Sequence, residues 1–157
     1  MRADYDALKG TFLGVACTLL VVAGLLIVVL AGRPSNAIAV PSGYHSVVVT
    51  LSDYRISGPT SVPAGKYEFV VKNKGTVPHE LVMFETKDAA NALPLRKDGS
   101  VDEESDALTS ALDSGSSLDP GETRVLFADL TAPGHYAMVC NLPAHYRLGM
   151  KLDLTVS

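Results

Sequence analysis

At 157 residues the chain has the length of about one domain with a real buried core. Its formal net charge is −4, and without a basic cluster nucleic acid is excluded as a partner. Its two cysteines, Cys17 and Cys140, cannot form a disulfide framework, because one sits in a long apolar run and the other far outside it. Met1 to Gly10 is a short tail carrying Arg2 and Lys9. Residues 11–32 hold no charged side chain and are mostly Leu, Val, Ala and Ile. As a helix rising about 1.5 Å per residue, that run crosses roughly 30 Å of hydrocarbon. It reads as an uncleaved transmembrane anchor. The competing reading is a signal peptide cut after Ala37-Ile38-Ala39, against which stands a run longer than the usual apolar stretch of about 7–15 residues.

Either way the remainder is exported, anchored on the periplasmic or cell-surface side, or secreted if the segment is cleaved. Cys17 is then a small membrane-embedded hydrophobe. Cys140 is left as a lone thiol in an oxidising compartment, which points to a reactive group or a metal ligand.

Residues 33–43, with two prolines and several small residues, read as a linker. Residues 44–157 form the domain. Ser46 to Leu51 and Tyr54 to Ile56 are rich in β-branched and aromatic residues, as strands prefer. Val62-Pro63-Ala64-Gly65 is a turn, and Lys66 to Lys72 alternates like a half-buried strand. Strand character resumes over Glu80 to Thr86. Residues 87–118 break the rhythm as an acidic insertion, with Ala89 to Leu93 and Asp106 to Leu112 expected as short helices. From Asp98 to Glu122 the chain carries acids and no base, the pattern of a solvated face or loop. Strands return over Glu122 to Leu130, Tyr136 to Cys140 and Met150 to Val156. Short strands with Gly and Pro punctuation predict an all-β sandwich with a helical or loop insertion.

The last two strands bracket Cys140-Asn141-Leu142-Pro143-Ala144-His145-Tyr146-Arg147-Leu148-Gly149-Met150. A thiolate, an imidazole and a thioether recur at five-residue intervals in one loop. Two imidazoles and a thiolate with a weak axial thioether form the ligand set of a trigonal blue-copper site. The loop lacks one imidazole, and His79, leading a strand in Val77-Pro78-His79-Glu80-Leu81-Val82, supplies it. Zinc also accepts Cys and His, but a thioether in place of a fourth N, S or O donor argues for copper. His45 and His135 read as surface residues.

Residues 44–157 resemble the cupredoxin family, the small blue copper proteins related to plastocyanin, auracyanin and rusticyanin. The resemblance rests on Pro133-Gly134-His135-Tyr136 before a strand, the Cys140, His145 and Met150 loop, and the strand-leading His79. It implies a Greek-key β-sandwich and one type 1 copper cycling between Cu(I) and Cu(II). By position, His79, Cys140 and His145 would be equatorial ligands and Met150 axial. Glu80 departs from the family pattern, where Asn or Ser often follows the first histidine, so Glu80 either tunes the metal or approaches it.

The function expected is a monomeric, membrane-anchored carrier of single electrons between redox proteins such as cytochromes or oxidases. The alternative is an exported carrier or storage protein that delivers copper to an oxidase. No nucleophile triad or phosphate loop marks an enzyme. Leu142, Pro143, Ala144, Tyr146 and Leu148, with Pro78 and Pro133, are the expected apolar collar around His145, suited to transient redox encounters.

Overall fold

The computed structural model describes residues 41–157. The tail, the apolar run of 11–32 and nearly all of the expected linker lie outside the described residues. Among the described residues no helix is long and apolar enough to cross a membrane. The alternating segments form β1 (Tyr44–Ser52), β2 (Arg55–Ser57), β3 (Ser61–Val62), β4 (Gly65–Asn73), β5 (Val82–Glu85), β6 (Thr109–Asp113), β7 (Thr123–Leu130), β8 (Gly134–Val139) and β9 (Lys151–Val156).

These strands make two sheets, ordered β2-β1-β4-β7 and β3-β9-β8-β5-β6. In the first, β4 lies parallel to β1 and antiparallel to β7. In the second, β8 is antiparallel to both β5 and β9. The neighbours are mostly not consecutive in sequence, so the chain crosses repeatedly between sheets, and the expected all-β class is the observed one.

Two cores follow from the period-two alternation of the strands. Val49 and Leu51 on β1, Tyr67, Phe69 and Val71 on β4, and Ala128 and Leu130 on β7 face Tyr136, Met138 and Leu154 across the sandwich. A second cluster covers the opposite face of the β5–β8 sheet, where Val82, Phe84, Ala137 and Val139 meet Ala90, Leu93, Val101, Leu108 and Tyr146. The acidic insertion is thus packed, because its few apolar residues roof a sheet face that would otherwise expose aromatic and aliphatic side chains to water.

Two expectations for that insertion are corrected. Among the described residues there is no α-helix. Ala89 to Leu93 forms a single turn, closed by the Ala92 N–H on the Ala89 carbonyl at 2.8 Å, and Pro94 follows. A segment this short cannot recover the cost of helix nucleation. Asp106 to Leu112 runs instead into β6, which pairs antiparallel with β5. There Leu108 and Leu112 are buried, a side-chain pattern the sheet satisfies and an isolated helical turn would not.

Candidate metal centre

His79 lies just before β5, where its backbone is gripped on both sides by Leu118. The His79 N–H donates to the Leu118 carbonyl at 3.1 Å, and the Leu118 N–H returns to the His79 carbonyl at 2.6 Å. Asn73 organises the turn leading to it. Its side-chain amide donates to the carbonyls of Val77 and Leu118, each at 2.9 Å, while its oxygen accepts the Gly75 N–H at 2.8 Å. The His79 side chain is thereby wholly buried.

Cys140 follows the last residue of β8. Its N–H donates to the Met150 carbonyl at 3.1 Å, and the Met150 N–H donates to the His145 carbonyl at 3.1 Å. The loop is closed on itself, so residues ten apart in sequence are fixed to each other. Gly149 has φ +118°, and a Cβ there would press on the Tyr54 carbonyl oxygen at 3.2 Å, which explains a glycine one residue before Met150. Ala144 is also left-handed, at φ 69°.

The side chains then converge. The two Nδ1 atoms of His79 and His145 stand 3.2 Å apart, and Cys140 Sγ is 3.3 Å from His145 Nδ1. All three donor atoms lie within 4.8 Å of one another. Donors about 2.0–2.3 Å from one centre, spaced at about 120°, stand roughly 3.5–3.7 Å apart. The two separations that His145 makes need to open by only a few tenths of an ångström for one metal ion to fit among the three donors. Met150 is fully buried in the same core cluster as Cys140. His45 and His135 stand apart from this group, as expected; His135 lies within β8, facing Asp153 at 2.9 Å and the Thr86 carbonyl at 3.2 Å.

The electrostatics suit a soft metal. Burial pushes the Cys140 thiol up, and the Glu80 carboxylate adds to that, while N–H groups of Glu80 and Leu142 aimed at the sulfur oppose it. Burial first, then His79, pushes His145 down, which favours the neutral ring that a metal requires. Metal entry would therefore expel the thiol proton. Burial pushes Glu80 up as well, though the Asn141 N–H opposes this. The Glu80 N–H points at Cys140 Sγ at 3.4 Å, but its carboxylate is not among the converging donors. Glu80 is therefore placed to tune the sulfur.

Sequence reasoning missed the β1–β2 turn. Asp53 Oδ1 lies 3.4 Å from His79 Nε2, and Asp53 is itself held by the Thr76 N–H and hydroxyl, each at 2.7 Å. A carboxylate on the far nitrogen fixes the tautomer that leaves Nδ1 free for a metal. The Tyr54 ring stands edge-on to His145 with centroids 5.7 Å apart. The expected collar is partly corrected. Pro143, Ala144, Pro78 and Leu148 are exposed, and Leu142 is half-buried against the core. Tyr146 instead turns inward into the second core. Pro133 precedes the start of β8, six strand residues from Cys140, or about 20 Å at 3.4 Å per residue.

A family model described as the sulfocyanin (SoxE) domain matches residues 58–157. The chain belongs to that family. Sulfocyanins are cupredoxins, blue copper proteins of electron transfer, and type 1 copper is the cofactor. Among curated proteins none matches the chain. Solved structures share the fold. The sodium-dithionite-reduced auracyanin of Roseiflexus castenholzii is 19% identical, with a TM-score of 0.51, covering 71% of this chain and 96% of its own. Auracyanin A of Chloroflexus aurantiacus, described as a "blue" copper protein, is 20% identical at 0.52, covering 73% and 100%. Rusticyanin from Thiobacillus ferrooxidans is 17% identical at 0.55, covering 73% and 78%.

Proposed function

We propose that this sulfocyanin is a membrane-anchored, extracytoplasmic carrier of single electrons, with His79, Cys140 and His145 as equatorial copper ligands and Met150 as the axial one. The observation that carries the reading is that His145 Nδ1 stands 3.2 Å from His79 Nδ1 and 3.3 Å from Cys140 Sγ, with all three donors within 4.8 Å of one another and a buried methionine in the same core cluster as the cysteine. Copper bound there would supply the one-electron Cu(I)/Cu(II) couple.

The chain's own residues do the rest. Leu118 and Asp53 hold His79 in place, and the bonds from Cys140 to Met150 and from Met150 to His145 hold the loop. Donors fixed in this way keep their separation when charge arrives or leaves, which lowers the reorganisation that electron transfer requires. The buried core around Cys140 and Met150 excludes water from the sulfur side. His145 is only half-buried, so its ring edge is the exit toward a partner. Exposed Leu148, Pro143 and Ala144 around it form a small apolar surface suited to brief encounters with cytochromes or oxidases. Residues 11–32 would tether the domain to the membrane while the monomer meets those partners.

Replacing Cys140 with Ser in the full chain tests the reading. The intense visible absorption of a copper–thiolate bond should vanish while the far-ultraviolet circular dichroism stays that of the folded wild type. A serine variant that remains blue would refute the ligand assignment.

A further inference from the structure

The segment between β5 and β6 makes a set of contacts that a solvated acidic loop would not. Asn141, the residue after Cys140, accepts the Val101 N–H on its side-chain oxygen at 2.6 Å and donates to the Val101 carbonyl at 3.1 Å. Its amide also donates to Glu103 at 2.6 Å. The side chain of Asn141 thus stands where a neighbouring strand would, satisfying both backbone groups of a residue that is wholly buried. Tyr146, the residue after His145, buries its ring in the second core. Its hydroxyl donates to the Ala90 carbonyl at 2.8 Å and accepts the Leu93 N–H at 3.3 Å. Arg147 lies against Gly99, whose Cβ, were there one, would overlap the guanidinium.

The loop's backbone bonds tie its two ends together at Cys140 and Met150, but between them run only short turns, such as the His145 N–H on the Leu142 carbonyl at 3.0 Å and the Leu148 N–H on the Ala144 carbonyl at 3.0 Å. It also carries Ala144 at positive φ, a conformation that persists in a non-glycine residue only when the surroundings impose it. Flanking it, Asn141 and Tyr146 are held by residues 86–108. That segment touches the loop immediately after each of its first two metal donors.

We propose that Asn141 and Tyr146 are positioning residues, through which the 86–108 segment braces the ligand loop and fixes where Cys140 and His145 present their donor atoms. The proposal rests on the ligand assignment above. On this account the acidic insertion belongs to the redox site, its apolar underside gripping the loop while its charged side faces solvent.

Tyr146→Phe in the full chain is the first test, because it removes one oxygen and leaves the ring to fill the second core. Asn141→Ala is the second. Amide hydrogen exchange on the metal-free protein is read at Met150 in both variants, at Leu93 in Tyr146→Phe and at Val101 in Asn141→Ala, the amides those side chains hold, and the copper-loaded protein is read by electron paramagnetic resonance and by electron self-exchange. Losing a hydrogen bond of this kind should speed exchange about three- to tenfold. The brace predicts that acceleration at Met150 as well as at the variant's own partner amide, with a changed copper hyperfine splitting and self-exchange slowed about tenfold. Acceleration confined to Leu93 or Val101, with the Met150 amide and the copper signature as in wild type, would overturn the proposal. If wild-type protein takes up no copper, the ligand assignment fails by itself, and exchange at Met150 still decides the brace.

Discussion

Gly75 offers the sharpest test of how tightly His79 must be held. Its φ lies outside the left-handed region, so alanine meets no backbone strain there. The space is the obstacle. A Cβ would fall 2.6 Å from His79 Nε2 and 3.1 Å from the Asp53 backbone nitrogen, and would overlap the Asp53 carboxylate. Ordinary van der Waals contact begins at 3.4 Å, so the imidazole must retreat by about 0.8 Å, several times the ~0.2 Å tolerance of a metal–ligand bond. The His79 backbone cannot follow, because Leu118 holds its N–H and carbonyl. The ring must therefore tilt and carry Nδ1 away from His145 and Cys140. Gly75→Ala should lower copper affinity about 10–100-fold and cost about 1–3 kcal/mol of fold stability through overpacking. Competition titration against a copper chelator measures the first and urea denaturation the second. Gly134→Ala is the control, since its Cβ would meet neighbours only at 3.7 and 3.8 Å, and it should leave affinity unchanged. A folded Gly75→Ala protein binding copper within about twofold of wild type would refute the argument that this contact positions His79.

Met150→Leu exchanges buried side chains of similar volume, at less than about 1.5 kcal/mol. It should keep the visible colour and raise the reduction potential measured by redox titration, and a fall would contradict the weak axial donor. Leu148 is 54% exposed, so Leu148→Glu should leave the spectrum and the melting curve alone while slowing stopped-flow electron exchange with a cytochrome; unchanged kinetics would remove the docking surface. Phe69 is wholly buried on β4 between Val47 on β1 and Leu126 on β7. Phe69→Ala should cost about 3–5 kcal/mol in urea denaturation, and a loss below about 1 kcal/mol would move the centre of the core elsewhere.

The parts of this centre legible in sequence are those in which chemistry and chain order coincide. Cys140, His145 and Met150 share one loop closed by its own backbone bonds, so their spacing already carries the geometry. His79 could be read because a histidine leading a strand has a defined place in a sandwich. Asp53, Tyr54 and Asn73 could not. Their types are common at turns and strand ends, and only the sheet order brings Asp53 within reach of a histidine 26 residues away. Adjacency also misled. Tyr146 follows His145 in sequence, but the loop turns its ring into the second core. Pro133 precedes the ligand-bearing strand, but the length of β8 carries it far from the metal donors. The strand β6 was hidden for a related reason: it is an edge strand in a polar stretch, and what makes Thr109–Asp113 extended is its pairing with β5, a non-local fact.

The two histidines are not equivalent, and their difference gives the site a direction. His79 is wholly buried, its backbone bonded to Leu118 and its outer nitrogen facing Asp53. Nothing on that side can yield to a partner. His145 is half-buried, its pKa pushed down by the same core, and it sits among exposed Ala144, Leu148 and Tyr54. That burial favours the neutral imidazole, the form able to bind a metal. A rigid anchor on one side and a solvent-edged imidazole on the other leave one short path between the buried sulfur and the surface. With donor separations of 3.2 and 3.3 Å at His145, folding alone brings these side chains together, and a metal held by them would need only a lost thiol proton and a gap wider by tenths of an ångström.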